Sequence, residues 1–282
     1  MNQTKTFFLM VVLTIILVAL GSIIGGRSGA QIAFLIALGM NFVSYWFCDK
    51  IVLTMYRAQQ VTETEAPQLF RIVASLAQKA SVPMPKVYII ESNSPNAFAT
   101  GRNPEHGVVA VTSGIMRILS LNELEGVLAH EMAHIKHRDI LIQSVAAAIA
   151  GAITMIGNWA RFASIFSGRG SDDERGNIFS IIVFSMLAAF AAMLIQLAIS
   201  RSREYLADEG GAALSGNPIH LADALRKLNS GVARNPMNDA NPSTAPLFIV
   251  NPFSAKGVRT LFSTHPPIEE RVKRLEDMAY RR

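Results

Sequence analysis

Residues 7–24 carry no charged side chain, and neither do residues 30–47. A helix needs about 20 consecutive apolar residues to cross the hydrocarbon core of a bilayer. Two such runs with a short gap predict a transmembrane hairpin, with helices over about 7–24 and 30–47. A secretory leader is the competing reading of the first run, because Lys5 precedes it and Ala19-Leu20-Gly21 resembles a cleavage site. The run is long for a leader, and the second run follows almost at once. The second also ends in Tyr45 and Trp46, side chains that favour the membrane interface.

Composition agrees. Half the residues are hydrophobic, only 17% are charged, and the mean hydropathy is +0.30. A soluble domain carries about 25% charged residues. The net charge of +5 suits an anionic surface. No Lys/Arg run or basic stripe interleaved with aromatics is present, so the lipid bilayer is the expected partner and nucleic acid is not. The single cysteine, Cys48, excludes both an internal disulfide and a Cys-rich zinc site.

Residues 49–139 read as part of a soluble domain. Leu69, Ile72, Val73 and Leu76 share one face of a helix opened by Ala66-Pro67. Strands are expected at 86–91, 96–100 and 108–112. Ser120 and Glu123 have the spacing of a capping box, which starts a helix through Leu124, Val127, Leu128 and Ile135. Uncharged apolar runs then return at 140–160 and 178–199. A second membrane hairpin is expected over 140–199; a buried or half-inserted hairpin is the alternative, since Gly151, Gly157, Asn158 and Gln196 interrupt it. Residues 200–282 are polar and helical, and Pro266-Pro267 opens a last helix with Ile268, Val272, Leu275 and Met278 inward. The chain thus divides into a membrane hairpin (1–48), a first polar part (49–139), a second apolar hairpin (140–199) and a second polar part (200–282). With the termini and the 49–139 segment on one side, that side holds Lys5, Lys50, Arg57, Lys136, Arg138, Arg201 and Arg203. The other side holds Arg27, Arg161, Arg169 and Arg175. This excess predicts that the parts at 49–139 and 200–282 face the cytoplasm.

His130 and His134 stand four apart on the capped helix, so both imidazoles leave one face. That arrangement suits two nitrogen ligands on one Zn2+, with Glu131 beside the first ligand as general base and acid. A catalytic zinc takes three protein ligands and keeps one position open. No acid occurs from Ile140 to Ser171, and the acids at 172–174 belong to a loop on the far membrane side. The first acids after the fourth apolar run are Glu204 and Asp208, again four apart. Glu204 is the candidate third ligand. Asp208 is placed to accept the free N–H of a ligating histidine.

These segments, with Ser263-Thr264-His265-Pro266-Pro267 and Asn96-Ala97-Phe98-Ala99-Thr100-Gly101, resemble the HtpX family. Its members are bacterial inner-membrane proteases related to the CAAX prenyl endopeptidases, and the resemblance covers essentially the whole chain. It implies one zinc held by His130, His134 and Glu204, with Glu131 as catalytic base. It also implies membrane-protein and unfolded polypeptide substrates, and a role in quality control and stress. His265, held by the proline pair, is a candidate oxyanion or auxiliary group, or else a capping-region residue. Asn96, Ala97 and Phe98 are candidate substrate contacts through an edge strand, or else an ordinary sheet strand. The expected fold is an α+β, gluzincin-like metalloprotease core combined with about four transmembrane helices, mainly α. Two rivals remain: a non-catalytic membrane metal sensor or chaperone-like factor, and a prenyl-processing protease of the eukaryotic type.

Overall fold

The structure, a computed structural model, describes residues 2–149, 201–237, 240, 244–252 and 266–280. The expected fourth apolar segment at 178–199 and the rest of the third beyond residue 149 lie outside the described residues, as does His265.

Among the described residues, two helices are long and apolar enough to cross a membrane, α1 (Thr4–Ile23) and α2 (Gly25–Met55). The turn between them bends at Gly26, whose φ of 57° is a left-handed conformation that side chains with a Cβ resist. Asn41 stitches the pair together inside the apolar layer, donating to Thr14 Oγ1 at 2.9 Å and to the Met10 carbonyl at 3.3 Å. Helix α2 runs eight residues past the expected end at 47. Its last turns bear Val52 and Leu53, which are buried against the soluble part of the chain.

The soluble part holds a four-stranded mixed sheet in the order β1-β2-β4-β3. Strands β1 (Gln59–Gln60) and β2 (Lys86–Ile90) pair antiparallel, β2 and β4 (Val108–Thr112) parallel, and β4 and β3 (Ala97–Thr100) antiparallel. The β2–β4 crossover leaves β3 at the sheet edge, the position expected for it. Helix α3 (Pro67–Ala80) buries Leu69, Val73 and Leu76, the apolar stripe read from the sequence. After the short α4 (Ser113–Ile118), helix α5 (Leu121–Lys136) opens with both halves of the expected capping box formed by Ser120 and Glu123. Such a cap contributes about 1 kcal/mol by satisfying end N–H groups.

Helices α7 (Arg201–Ser215), α8 (Pro218–Arg234) and α9 (Ile268–Tyr280) pack around α5. The main core is built from α3, the sheet and this helical group. A separate cluster joins α6 (Ile140–Ile149) to the membrane hairpin, with Ile142, Val145 and Ile149 against Leu9, Leu13 and Cys48. The helix bearing the two histidines therefore hands over, within a few residues, to a helix packed on the membrane pair.

Candidate metal and catalytic site

Helix α5 is buried over most of its length, and His130, Glu131 and His134 lie on its face toward α7. The two helices approach closely because α7 has Gly211 at the contact. A Cβ there would come within 2.8 Å of the His130 backbone nitrogen. Glu204 stands in the first turn of α7 and faces both histidines. Its carboxylate oxygens are 3.8 Å from His130 Nε2 and 3.6 Å from His134 Nε2. One donor atom from each of the three residues falls within 4.8 Å of the other two. Zinc bonds of about 2.0–2.1 Å at tetrahedral angles put donors about 3.4 Å apart, so this set fits a divalent ion after a small contraction.

Each histidine has a carboxylate behind it. His130 Nδ1 is 2.9 Å from Asp208 Oδ1, and Arg271 clamps that carboxylate with bonds of 2.9 and 2.7 Å from Nε and Nη2. His134 Nδ1 is 3.4 Å from Asp139 Oδ2, and Arg203 Nε lies 3.9 Å from the other Asp139 oxygen. Both imidazoles thus have a partner for Nδ1 and turn Nε2 toward Glu204. A histidine fixed in this way presents the right tautomer to a metal. Sequence reasoning supplied Asp208 but missed Asp139, Arg203 and Arg271. One signal for Arg271 was available: it lies three residues after Ile268 and four before Leu275, on the stripe that packs inward. A charged side chain on such a stripe needs a buried partner.

Burial and mutual charge shift the ionisable groups of the site. Burial drives the His130 pKa down to about 4, although Asp208 pulls it up. Burial also acts to lower His134, but the Asp139 hydrogen bond and the charges of Glu204 and Glu131 outweigh it and raise the pKa to about 9. Glu131 is pushed up to about 8 by burial, against His134, with the Glu204 charge adding to the rise and the Ala99 N–H opposing it. Burial would raise Asp208 as well, yet Arg271 and His130 hold it below the ordinary carboxylate value. Binding of a divalent ion to such donors is coupled to their deprotonation.

The edge-strand residues are engaged by another part of the chain. Asn96 is fully buried, and its side chain is committed to Val250, donating to the carbonyl at 2.8 Å and accepting from the N–H at 3.4 Å. The Ala97 carbonyl accepts from Ile249 N–H at 3.1 Å. Phe98 packs edge-on against Phe248, with ring centroids 5.3 Å apart, and beside Tyr56. The strand residue that meets the site is Ala99, through its N–H to Glu131. His137 caps the C-terminal end of α5.

Fold and cluster together are those of a metallopeptidase carried on membrane helices. The chain belongs to peptidase family M48, whose family model matches residues 63–279. A "Protease HtpX homolog" of Thermodesulfovibrio yellowstonii is 60% identical over 282 residues, covering 100% of both chains. Proteins of the same description from Syntrophobacter fumaroxidans and Thermococcus kodakarensis are 56% and 54% identical. They are covered over 99% and 95% of their lengths, each matching 98% of this chain. Among solved structures, that of S. mikatae Ste24p superposes with a TM-score of 0.51 at 19% identity. The match covers 98% of this chain and 65% of that one, and it shows a shared fold. The chain is a membrane-bound metalloprotease, acting on peptide bonds with the help of a metal ion.

Proposed function

We propose that the protein is a zinc endopeptidase with one Zn2+ bound by His130, His134 and Glu204. The observation that carries this reading is the convergence of three buried donors, at 3.6 and 3.8 Å across Glu204, beside a fourth buried carboxyl, Glu131. Zinc on these donors supplies Lewis acidity, lowering the pKa of a water and drawing charge from the peptide carbonyl. Glu131 takes the proton of the attacking water and returns it to the departing amine nitrogen. Asp208, held by Arg271, and Asp139, near Arg203, keep the two imidazoles turned toward the ion. His265 acts as an auxiliary oxyanion donor, and Asn96, Ala97 and Phe98, engaged by residues 248–250, hold in place the strand whose Ala99 meets Glu131.

The core is of the gluzincin type, with the acidic ligand on a helix after the histidine pair. The parts at 49–139 and 200–282 form the catalytic domain. The apolar segments at 1–48 and 140–199 make the protein multi-pass in the bacterial inner membrane, with the catalytic domain in the cytoplasm. Its substrates are misfolded or damaged membrane proteins and unfolded polypeptide, which gives it a role in quality control and stress. The test is zinc content and casein cleavage by wild type and Glu131→Ala, purified in detergent with chelator present until assay. The expected result is one zinc per chain in both and proteolysis in the wild type alone. Equal cleavage by the variant excludes the mechanism; zinc without cleavage in either protein would favour a metal sensor.

A further inference from the structure

Strand β3 sends alternate backbone groups to its two sides. Thr112 N–H donates to the Asn96 carbonyl at 2.9 Å, and the register pairs Phe98 with Ala110 and Thr100 with Val108. In an antiparallel ladder residues 96, 98 and 100 therefore bond to β4, while 97, 99 and 101 turn their N–H groups away from it. All three outward N–H groups are used. Ala97 N–H donates to Asn96 Oδ1 at 3.2 Å, Ala99 N–H meets Glu131, and Gly101 N–H donates to Ser144 Oγ at 3.2 Å. The N–H that holds Glu131 is thus followed, two residues and about 7 Å along the strand, by one that α6 holds. Thr100 adds a second bond, its Oγ1 lying 2.7 Å from the same serine oxygen.

Ser144 is not spent on its own helix. Thr14, Ser215 and Ser230 each donate to the carbonyl four residues earlier, the usual way for a helical hydroxyl to be satisfied. Ser144 is fully buried and makes both of its contacts across to β3. The strand end it holds has little room to adjust: Gly101 has a φ of 134°, and a Cβ there would collide with the His106 carbonyl oxygen. The same helix begins beside the metal cluster. Asp139, directly before α6, lies 3.4 Å from His134 Nδ1. Helix α6 therefore reaches the site by two routes, through Asp139 to a histidine and through Ser144 and β3 to Glu131.

From this we infer that Ser144 is a positioning residue for the proposed catalytic base: by pinning Thr100 and Gly101 to α6, it fixes where the Ala99 N–H stands and so where the Glu131 carboxylate points. The serine touches neither metal nor reacting atoms and acts only through the strand. A general base works within hydrogen-bond reach of the proton it takes. A misplacement of about 1 Å, even from a change far from the chemistry, can cost on the order of 100-fold in rate. This inference rests on the reading of Glu131 as the base and adds the part of the fold that aims it.

The experiment uses the full-length, zinc-loaded protein in detergent with a fluorogenic peptide drawn from casein. Zinc content, thermal transition, kcat and KM are measured for wild type, Ser144→Ala, Thr100→Val, Thr100→Ser and Glu131→Ala. Ser144→Ala loses both bonds; it should keep one zinc, leave KM nearly unchanged and lower kcat by about 10- to 100-fold. Thr100→Val, of nearly the same shape, loses one bond and should lower kcat less. Thr100→Ser keeps the hydroxyl and should return kcat close to wild type. A bond that only stabilises the fold would lower the thermal transition and leave kcat per folded, zinc-loaded molecule at the wild-type value. If Ser144→Ala does not fold, the two Thr100 variants decide. Wild-type kcat in Ser144→Ala and Thr100→Val, equal losses in Thr100→Val and Thr100→Ser, or a loss that follows zinc content overturns the inference, and with Glu131→Ala inactive it leaves the base reading intact. Cleavage by Glu131→Ala at the wild-type rate overturns the base reading and the inference with it.

Discussion

The two histidines of the proposed metal site are supported by different parts of the molecule. His130 is backed by a tight chain, 2.9 Å to Asp208 and bonds of 2.7 and 2.9 Å from there to Arg271. Everything in that chain belongs to α5, α7 and α9, inside the main core. His134 is backed by a looser chain, 3.4 Å to Asp139 and 3.9 Å on to Arg203. Asp139 stands where α5 gives way to α6, and Arg203 in the first turn of α7. One half of the site is thus set by the soluble core and the other at the junction with the membrane helices.

Variants on the two sides separate these roles. The largest effect is expected at Arg271, which is fully buried and also donates to the Ile249 carbonyl at 3.1 Å. Arg271→Ala leaves the buried Asp208 charge without its guanidinium, with only His130 Nδ1 beside it, a loss of about 3 kcal/mol. Denaturant unfolding in detergent should show it; a change below 1 kcal/mol would mean that Arg271 is not a keystone. Next, Asp208→Ala should weaken zinc binding by about 10- to 100-fold in competition with a chelator. The loss should be the same in detergent and in a bilayer. Asp139→Ala should cost less, toward the lower end of the ~10- to 100-fold range for such partners, and its cost should change when detergent is exchanged for lipid. Equal and lipid-independent losses at the two aspartates would erase the distinction between the halves.

The smallest effect belongs to the far end of α5, where Glu123 accepts from Ser120 N–H and Lys227 at 2.8 and 2.7 Å. Burial would raise its pKa, but Lys227 and Ser120 hold it below the usual value. A depressed folded pKa means the stabilisation is present at neutral pH and is lost as pH falls through that lowered value. Glu123→Ala should cost about 1 kcal/mol at neutral pH, less in acid, and leave zinc affinity unchanged. A change in zinc affinity would show that the whole helix, not its local partners, sets the site.

What the sequence could say followed from the range of the pattern. The capping box, the strands at 86–90 and 108–112 and the histidine pair are local signals, and each appears where its spacing placed it. Glu204 was reachable across a long gap because acids are so scarce between the histidines and α7. Asp139 and Arg203 gave no local signal: an acid before an apolar run and an arginine before a ligand candidate are ordinary, and only the packing of α5, α6 and α7 joins them. Asn96 shows the opposite case. Its position at an edge strand suggested substrate contact, but the return of residues 249–250 uses its side chain, a pairing 154 residues apart that no spacing rule reveals.

The central claim is that Glu204 completes a three-donor metal site with His130 and His134. The most direct measurement is zinc per chain in Glu204→Ala, purified and reloaded beside the wild type, with the folded state verified by its thermal transition. The expected result is one zinc in the wild type and none retained in the variant at equal fold. A folded Glu204→Ala protein that retains a full equivalent of zinc would contradict the account and place the third ligand elsewhere.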